Sequence, residues 1–267
     1  MKANAPIGIF DSGIGGLTVA HAIKDELPNE SLIYFGDTAH LPYGDKSAAS
    51  IRHYSARITS FLMEQGAKMI VIACNTASAH AYQTVCDVTG PNVPVVNVID
   101  PVSAYIAQHY TEGKVGVIGT KGTISTRIYP RKIESLNPNL RVASRATPLL
   151  ASMIEEGFFN NKISQAVVHS YLEHPTLKGI QALVLGCTHY PLIRKEVEAY
   201  YKKGVEVIDS GQRVAAEVHE LLKANKALSK GPATYTFHVS DYTSAFETST
   251  KVFFGEKIKL KESRIWD

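Results

Sequence analysis

Hydrophobic positions along the chain fall into eight short runs, and polar-rich stretches with helical spacing separate them. The runs are IGIFD (7–11), LIYFGD (32–37), KMIVIAC (68–74), VPVVNV (93–98), KVGVIGT (114–120), LRVAS (140–144), ALVLGC (182–187) and VEVIDS (205–210). Most are continuous in Val, Ile and Leu, which suits strands buried on both faces. Between them lie amphipathic stretches such as SIRHYSARITSFLMEQ and ISQAVVHSYLE. Strand and helix in alternation predict an α/β fold with parallel sheets and right-handed crossovers.

Two of these segments repeat one pattern. KMIVIACNTAS (68–78) and ALVLGCTHYPL (182–192) each read as an apolar strand, a cysteine, two polar residues and then a helix start. A second echo joins FDSGIGG (10–16) to VIGTKGT (117–123), two strand ends that open into glycine-bearing turns. The repetition predicts two similar parallel-sheet α/β domains facing each other across a cleft, with one thiol on each side. The chain is expected to cross between them twice, near residues 97–100 and 205–210. Residues 1–97 plus 207–267 then form the Cys74 domain, and residues 98–206 the Cys187 domain.

Composition narrows the class. The chain has 267 residues, enough for a substantial core, with 45% hydrophobic and 20% charged residues. No apolar run approaches the ~20 residues of a membrane helix, and MKANAPIGIF has no signal-like core. Net charge is +3, and the lysines of the tail (Lys251, Lys257, Lys259, Lys261) read as a solvated surface, so neither nucleic acid nor membrane is expected as a partner. Three cysteines without a C-x-x-C pair argue against a disulfide framework or a thiolate zinc site. Reduced thiols fit a cytoplasmic protein.

Each candidate site residue has a bland reading beside its chemical one. DSGIGG (11–16) is a glycine-rich turn that matches neither a Walker A motif nor a dinucleotide fingerprint. Asp11 and Ser12 can cap a helix, or contact a substrate ammonium or a nearby thiol. HLPYGDKS (40–47) is a turn by default, with Ser47 as a helix cap, yet Tyr43 and the Gly44 N–H could hold a carboxylate. Cys74 or Cys187 alone would more often be core than chemistry. Matching contexts tip the balance, because packing gives no reason for both thiols to sit at the same strand end. Cys86, inside the predicted helix AYQTVCDVTG, is assigned to the core. His189 follows Cys187 by two residues and is a candidate acid or substrate contact. Glu155 and Glu156 end a helix, where acidic groups oppose the macrodipole by up to ~1 kcal/mol; a solvated pair is the default there.

Taken in order, FDSGIGGLTV, LPYGDKS, ACNTAS, TKGT, the EEG helix end and LGCTHYPL resemble the glutamate racemases, within the cofactor-independent aspartate/glutamate racemase family. The resemblance covers nearly the whole chain and is weakest after residue 212. It implies interconversion of L- and D-glutamate, supplying D-glutamate for peptidoglycan, without pyridoxal phosphate, nucleotide or metal, in a homodimer. It implies catalytic roles for Cys74 and Cys187, with Cys74 facing the proton of the D-isomer. It implies substrate contacts from Asp11, Ser12, Tyr43, Gly44, Asn75, Thr76, Thr188 and His189, and supporting roles for Asp37 and Glu155. One departure is Thr147, where many relatives are expected to carry cysteine.

The residues agree with that chemistry. Inverting an α-carbon needs a proton removed from one face and another delivered to the opposite face. Two opposed groups that each serve as base and acid accomplish this. Without an electron sink, preorganised donors must stabilise the carbanionic charge. Three rivals stand beside this reading. An aspartate racemase would differ only in pocket depth. A non-catalytic two-domain binding protein leaves the paired cysteines unexplained. A hydrolase using Cys187 and His189 leaves Cys74 without a role.

Overall fold

The computed structural model describes residues 2–202 and 204–266. Among these residues ten strands form two sheets, and every pairing is parallel. The strands are β1 (Ile7–Asp11), β2 (Leu32–Gly36), β3 (Met69–Ile72), β4 (Val95–Asn97), β5 (Gly113–Gly119), β6 (Leu140–Ala146), β7 (Ala182–Gly186), β8 (Glu206–Ile208), β9 (Tyr235–Val239) and β10 (Leu260–Glu262). The first sheet runs β10-β9-β2-β1-β3-β4 and the second β6-β5-β7-β8. All eight apolar runs of the sequence are strands. β1, β3 and β7 are buried along their whole length, as continuous apolar runs require.

The two sheets share one winding. In each, the first strand pairs on one side with the second and on the other with the third, giving orders 2-1-3-4 and 6-5-7-8. Strand order therefore reverses between β1 and β3 and again between β5 and β7. Open α/β sheets bind ligands just beyond the carboxyl ends of such strands. Asp11 ends β1 and Cys74 follows β3; Thr120 follows β5 and Cys187 follows β7. The topology alone brings both thiols to switch points.

Helices pack both faces. On one face of the first sheet, Phe10, Ile70 and Ile72 meet Ile51, Ile58 and Leu62 from the helix Ala48–Glu64. On the other, a larger core continues through Val98, Val102, Ile106, Val214 and Val218 into the second sheet. The helix Gly211–Ala224 lies against Leu17–Glu26 and Asp100–His109. After it the chain adds β9 beside β2, and β10 outside β9. Those last two strands do not appear among the sequence's predicted runs.

Two local expectations are corrected. Cys86 is half-buried, not core: it lies on the outward side of the helix Asn75–Thr89, between buried Val85 and exposed Asp87. The segment after Cys187 does not begin an α-helix. It makes a 3₁₀ turn over Tyr190–Ile193 with Pro191 in its first turn, and the helix Arg194–Tyr201 follows.

Candidate active site

The Cys74 side begins at the end of β1. Asp11 is fully buried. Its Oδ2 accepts backbone N–H groups from Gly16 (2.8 Å) and Gly13 (3.3 Å), which folds the glycine turn around it. Its Oδ1 is buried and has no partner among the described residues. Asp11 therefore closes the glycine turn through one oxygen and is not the N-cap of the following helix, a position Gly16 holds. Burial pushes its carboxyl above the usual range, against the pull of His189 and of the Gly16 N–H.

Cys74 is the N-cap of the helix Asn75–Thr89, and its Sγ accepts the Ala77 N–H at 3.4 Å. The thiol also lies 3.6 Å from Ser12 Oγ. Burial first, and the Asp11 charge second, push the Cys74 thiol up to about 12, although the Ala77 N–H and Ser12 pull it down. Asn75 accepts the Tyr129 hydroxyl on Oδ1 at 2.7 Å, while its buried Nδ2 has no acceptor among the described residues.

The Cys187 side uses different groups. Cys187 Sγ lies 3.6 Å from His189 Nδ1. His189 Nε2 lies 2.8 Å from Glu155 Oε1, an ion-pair contact without hydrogen-bond alignment. Burial disfavours the imidazolium, but the Cys187 thiol and the Glu155 carboxylate outweigh it and hold the His189 pKa well above its usual value. Phe253 packs its ring against His189, with centroids 5.3 Å apart. Glu155 is therefore a cleft residue, not half of a solvated pair.

The two sides interlock. A Cβ on Gly15 would lie 2.7 Å from Thr188 Oγ1, so only glycine lets that turn reach the Cys187 loop. Thr18 Oγ1 donates to the Thr188 carbonyl at 3.1 Å. Thr76 Oγ1 meets Thr120 Oγ1 at 2.9 Å and Thr123 Oγ1 at 3.2 Å. Gly44 approaches Thr120 closely, where a Cβ would lie 2.8 Å from the threonine Cβ.

Asp37 organises the loop that ends at Gly44. It is fully buried and accepts from Tyr43 Oη at 2.7 Å and Ser240 Oγ at 2.8 Å, with His40 Nδ1 at 2.9 Å. The Tyr43 hydroxyl is therefore committed to Asp37, which pushes its phenol further above the ordinary range than burial alone does. The cleft holds ≈ 400 Å³ of space outside protein atoms, its mouth included. Ser12, Tyr43, Gly44, Cys74, Asn75, Thr76, Glu155, Cys187, Thr188 and His189 all line it. Asp11 and Asp37 stand behind that lining. Thr120 and Ala151 line it too and were not among the predicted site residues. The signal for Thr120 was its place in TKGT, the counterpart of the DSGIGG turn. Among the described residues, no group of three or more His, Cys, Asp or Glu side chains could hold a metal ion. No helix there is long and apolar enough to cross a membrane.

Known proteins resemble this chain along nearly its whole length. The glutamate racemase of Chlorobaculum tepidum is 41% identical over 260 residues, spanning 97% of this chain and 95% of its own. The crystal structure of glutamate racemase from Francisella tularensis, in complex with D-glutamate, superposes with a TM-score of 0.93 at 39% identity and covers 99% of both chains. That of Thermus thermophilus, in complex with beta-chloro-D-alanine, gives 0.87 at 36% identity over 98% of both. The Asp/Glu/Hydantoin racemase family profile matches residues 17–218, and the chain belongs to that family.

Proposed function

We propose that this protein is a glutamate racemase that interconverts L- and D-glutamate by proton transfer between two thiols at the α-carbon, supplying D-glutamate for peptidoglycan. The observation that carries the mechanism is the pair of cysteines at equivalent strand-order reversals, lining one cleft. One thiolate removes the α-proton and the opposite thiol returns one from the other face. Cys74 faces the proton of D-glutamate and Cys187 that of L-glutamate. The reverse reaction exchanges the roles, as each group must be both acid and base.

The substrate would complete groups the protein leaves open. Asp11 Oδ1 is a buried acceptor suited to the ammonium. Asn75 Nδ2 is a buried donor suited to a carboxylate, with the Thr76 and Thr188 hydroxyls and the Gly44 N–H beside it. Such fixed donors supply the carbanion stabilisation that a cofactor would otherwise provide. The reading needs no pyridoxal phosphate, nucleotide or metal, so activity should survive dialysis against a chelator and treatment with a carbonyl reagent. It includes a homodimer in the cytoplasm, which sedimentation and fractionation would test.

Circular dichroism of L-glutamate incubated with pure protein tests the activity, with L-aspartate in parallel. Optical activity should decay to zero with glutamate and far more slowly with aspartate. An unchanged glutamate signal at high enzyme concentration would sink the proposal, and faster loss with aspartate would reassign the substrate.

A further inference from the structure

Beyond β10 the chain continues as a short tail whose residues pack beside the loop that borders the cleft. Ile265 and Trp266 are half-buried. Trp266 packs edge-on against His40 at 4.7 Å between centroids and against Tyr54 at 5.4 Å. His40 itself stacks on Tyr54 at 4.1 Å, so its ring is held on two sides. Arg57 of the helix Ala48–Glu64 donates to the Ile265 carbonyl.

His40 belongs to the loop that forms one wall of the cleft. Its Nδ1 meets Asp37 at 2.9 Å, and Asp37 accepts the Tyr43 hydroxyl. Tyr43 and Gly44 line the cleft, and Gly44 presses on Thr120 of the opposite sheet. From the tail, an unbroken set of contacts runs through His40, Asp37 and Tyr43 to the cleft wall.

We infer that the tail is a strap, with Trp266 a positioning residue that holds the 38–44 loop in its closed, substrate-binding form. The inference rests on the racemase reading, since it assigns that loop to glutamate. The strap is weakly fastened. Aromatic contacts supply most of the hold, and contacts of that size set an equilibrium that a ligand can shift.

Trp266 is the single tryptophan of the chain, so its emission reports the strap directly. Titrating the wild-type protein with D-glutamate should change that emission with a midpoint that tracks KM. Trp266→Ala, and truncation after Arg264, should raise KM for both enantiomers about tenfold and leave kcat within about twofold. Trp266→Phe should restore most of the loss, which general unfolding would not allow. Emission indifferent to saturating D-glutamate, or variants with the parent KM, would overturn the strap while an active parent upholds the racemase reading. A parent that racemises no glutamate would overturn both.

Discussion

The two thiol-bearing ends share a topology and differ in what surrounds the sulfur. Cys74 caps a fifteen-residue helix and takes a backbone N–H, with a buried carboxylate nearby. Cys187 enters a 3₁₀ turn, and its neighbour is an imidazole backed by Glu155. One sulfur faces a backbone N–H, a hydroxyl and a buried carboxylate, the other an imidazole. The common strand order carries different chemistry at its two ends. Equal work by two groups does not require equal surroundings, only that each thiol can hold and release a proton.

The largest expected effect removes one end altogether. Cys74→Ala and Cys187→Ala should each lower racemisation in both directions by at least ~10³-fold, since each turnover needs a base and an acid. The surviving thiol should still exchange the α-hydrogen it faces in deuterated water, without inversion. Cys187→Ala should exchange D-glutamate and Cys74→Ala should exchange L-glutamate. Equal exchange of both enantiomers by either variant would erase the division between the ends.

A smaller effect should follow from Asp11→Asn. Asp11 is the second cause of the high Cys74 pKa, after burial, so removing its charge should bring that thiol down from about 12. Thiolate absorbance followed against pH, with Cys86 and Cys187 replaced by serine, reads the shift. Under the proposed ammonium contact, activity of the otherwise wild-type protein should nonetheless fall by about 10²-fold, the loss of a charge-assisted bond worth ~1.5–3 kcal/mol. A Cys74 pKa that rises or stays put would contradict the assignment.

At the other end Glu155→Gln should act through His189. The Glu155 carboxylate raises the imidazolium pKa, so neutralising it lowers that pKa, and His189 loses its proton at a lower pH. The basic limb of the kcat/KM profile should move to lower pH, by the same amount in both directions, with a loss of about tenfold or less. An unmoved limb would place His189 outside the proton economy of the Cys187 end.

The least effect is expected at Cys86. As the more exposed of the three thiols, it should be alkylated first and without loss of activity, while Cys74 and Cys187, at 5% and 8% exposure, react slowly and glutamate protects them. Cys86→Ser should be indistinguishable from the parent. Peptide mapping in which activity falls in step with Cys86 labelling would show that the third thiol matters.

Much of this was legible in the chain because burial on both faces writes strands as unbroken apolar runs. β1 to β8 were readable for that reason, and so was the pairing of ACNTAS with GCTHYP. β9 and β10 were not. YTFHV is buried only over its last three residues, and LKE is an edge strand with two charged residues out of three. The turn after Cys187 was misread because proline suits the first turn of a 3₁₀ segment as well as that of an α-helix. Placing Cys86 inside a helix does not settle which side it faces, since neighbouring helix positions point about 100° apart. TKGT marked the turn that holds Thr120 but not its role, which comes from meeting Thr76 across the cleft.

The divergent ends of two identically wound sheets carry a thermodynamic consequence. Reactant and product of the proposed reaction are mirror images, so their equilibrium constant in water is one. The ratio kcat/KM must then be the same for the two directions, however unlike Cys74 and Cys187 have become. Any inequality between the ends has to appear as a paired rise or fall of kcat and KM, one enantiomer bound tighter and turned over more slowly. No substitution at either end can make the enzyme run one way. The most that divergence can do is choose which enantiomer it holds longer.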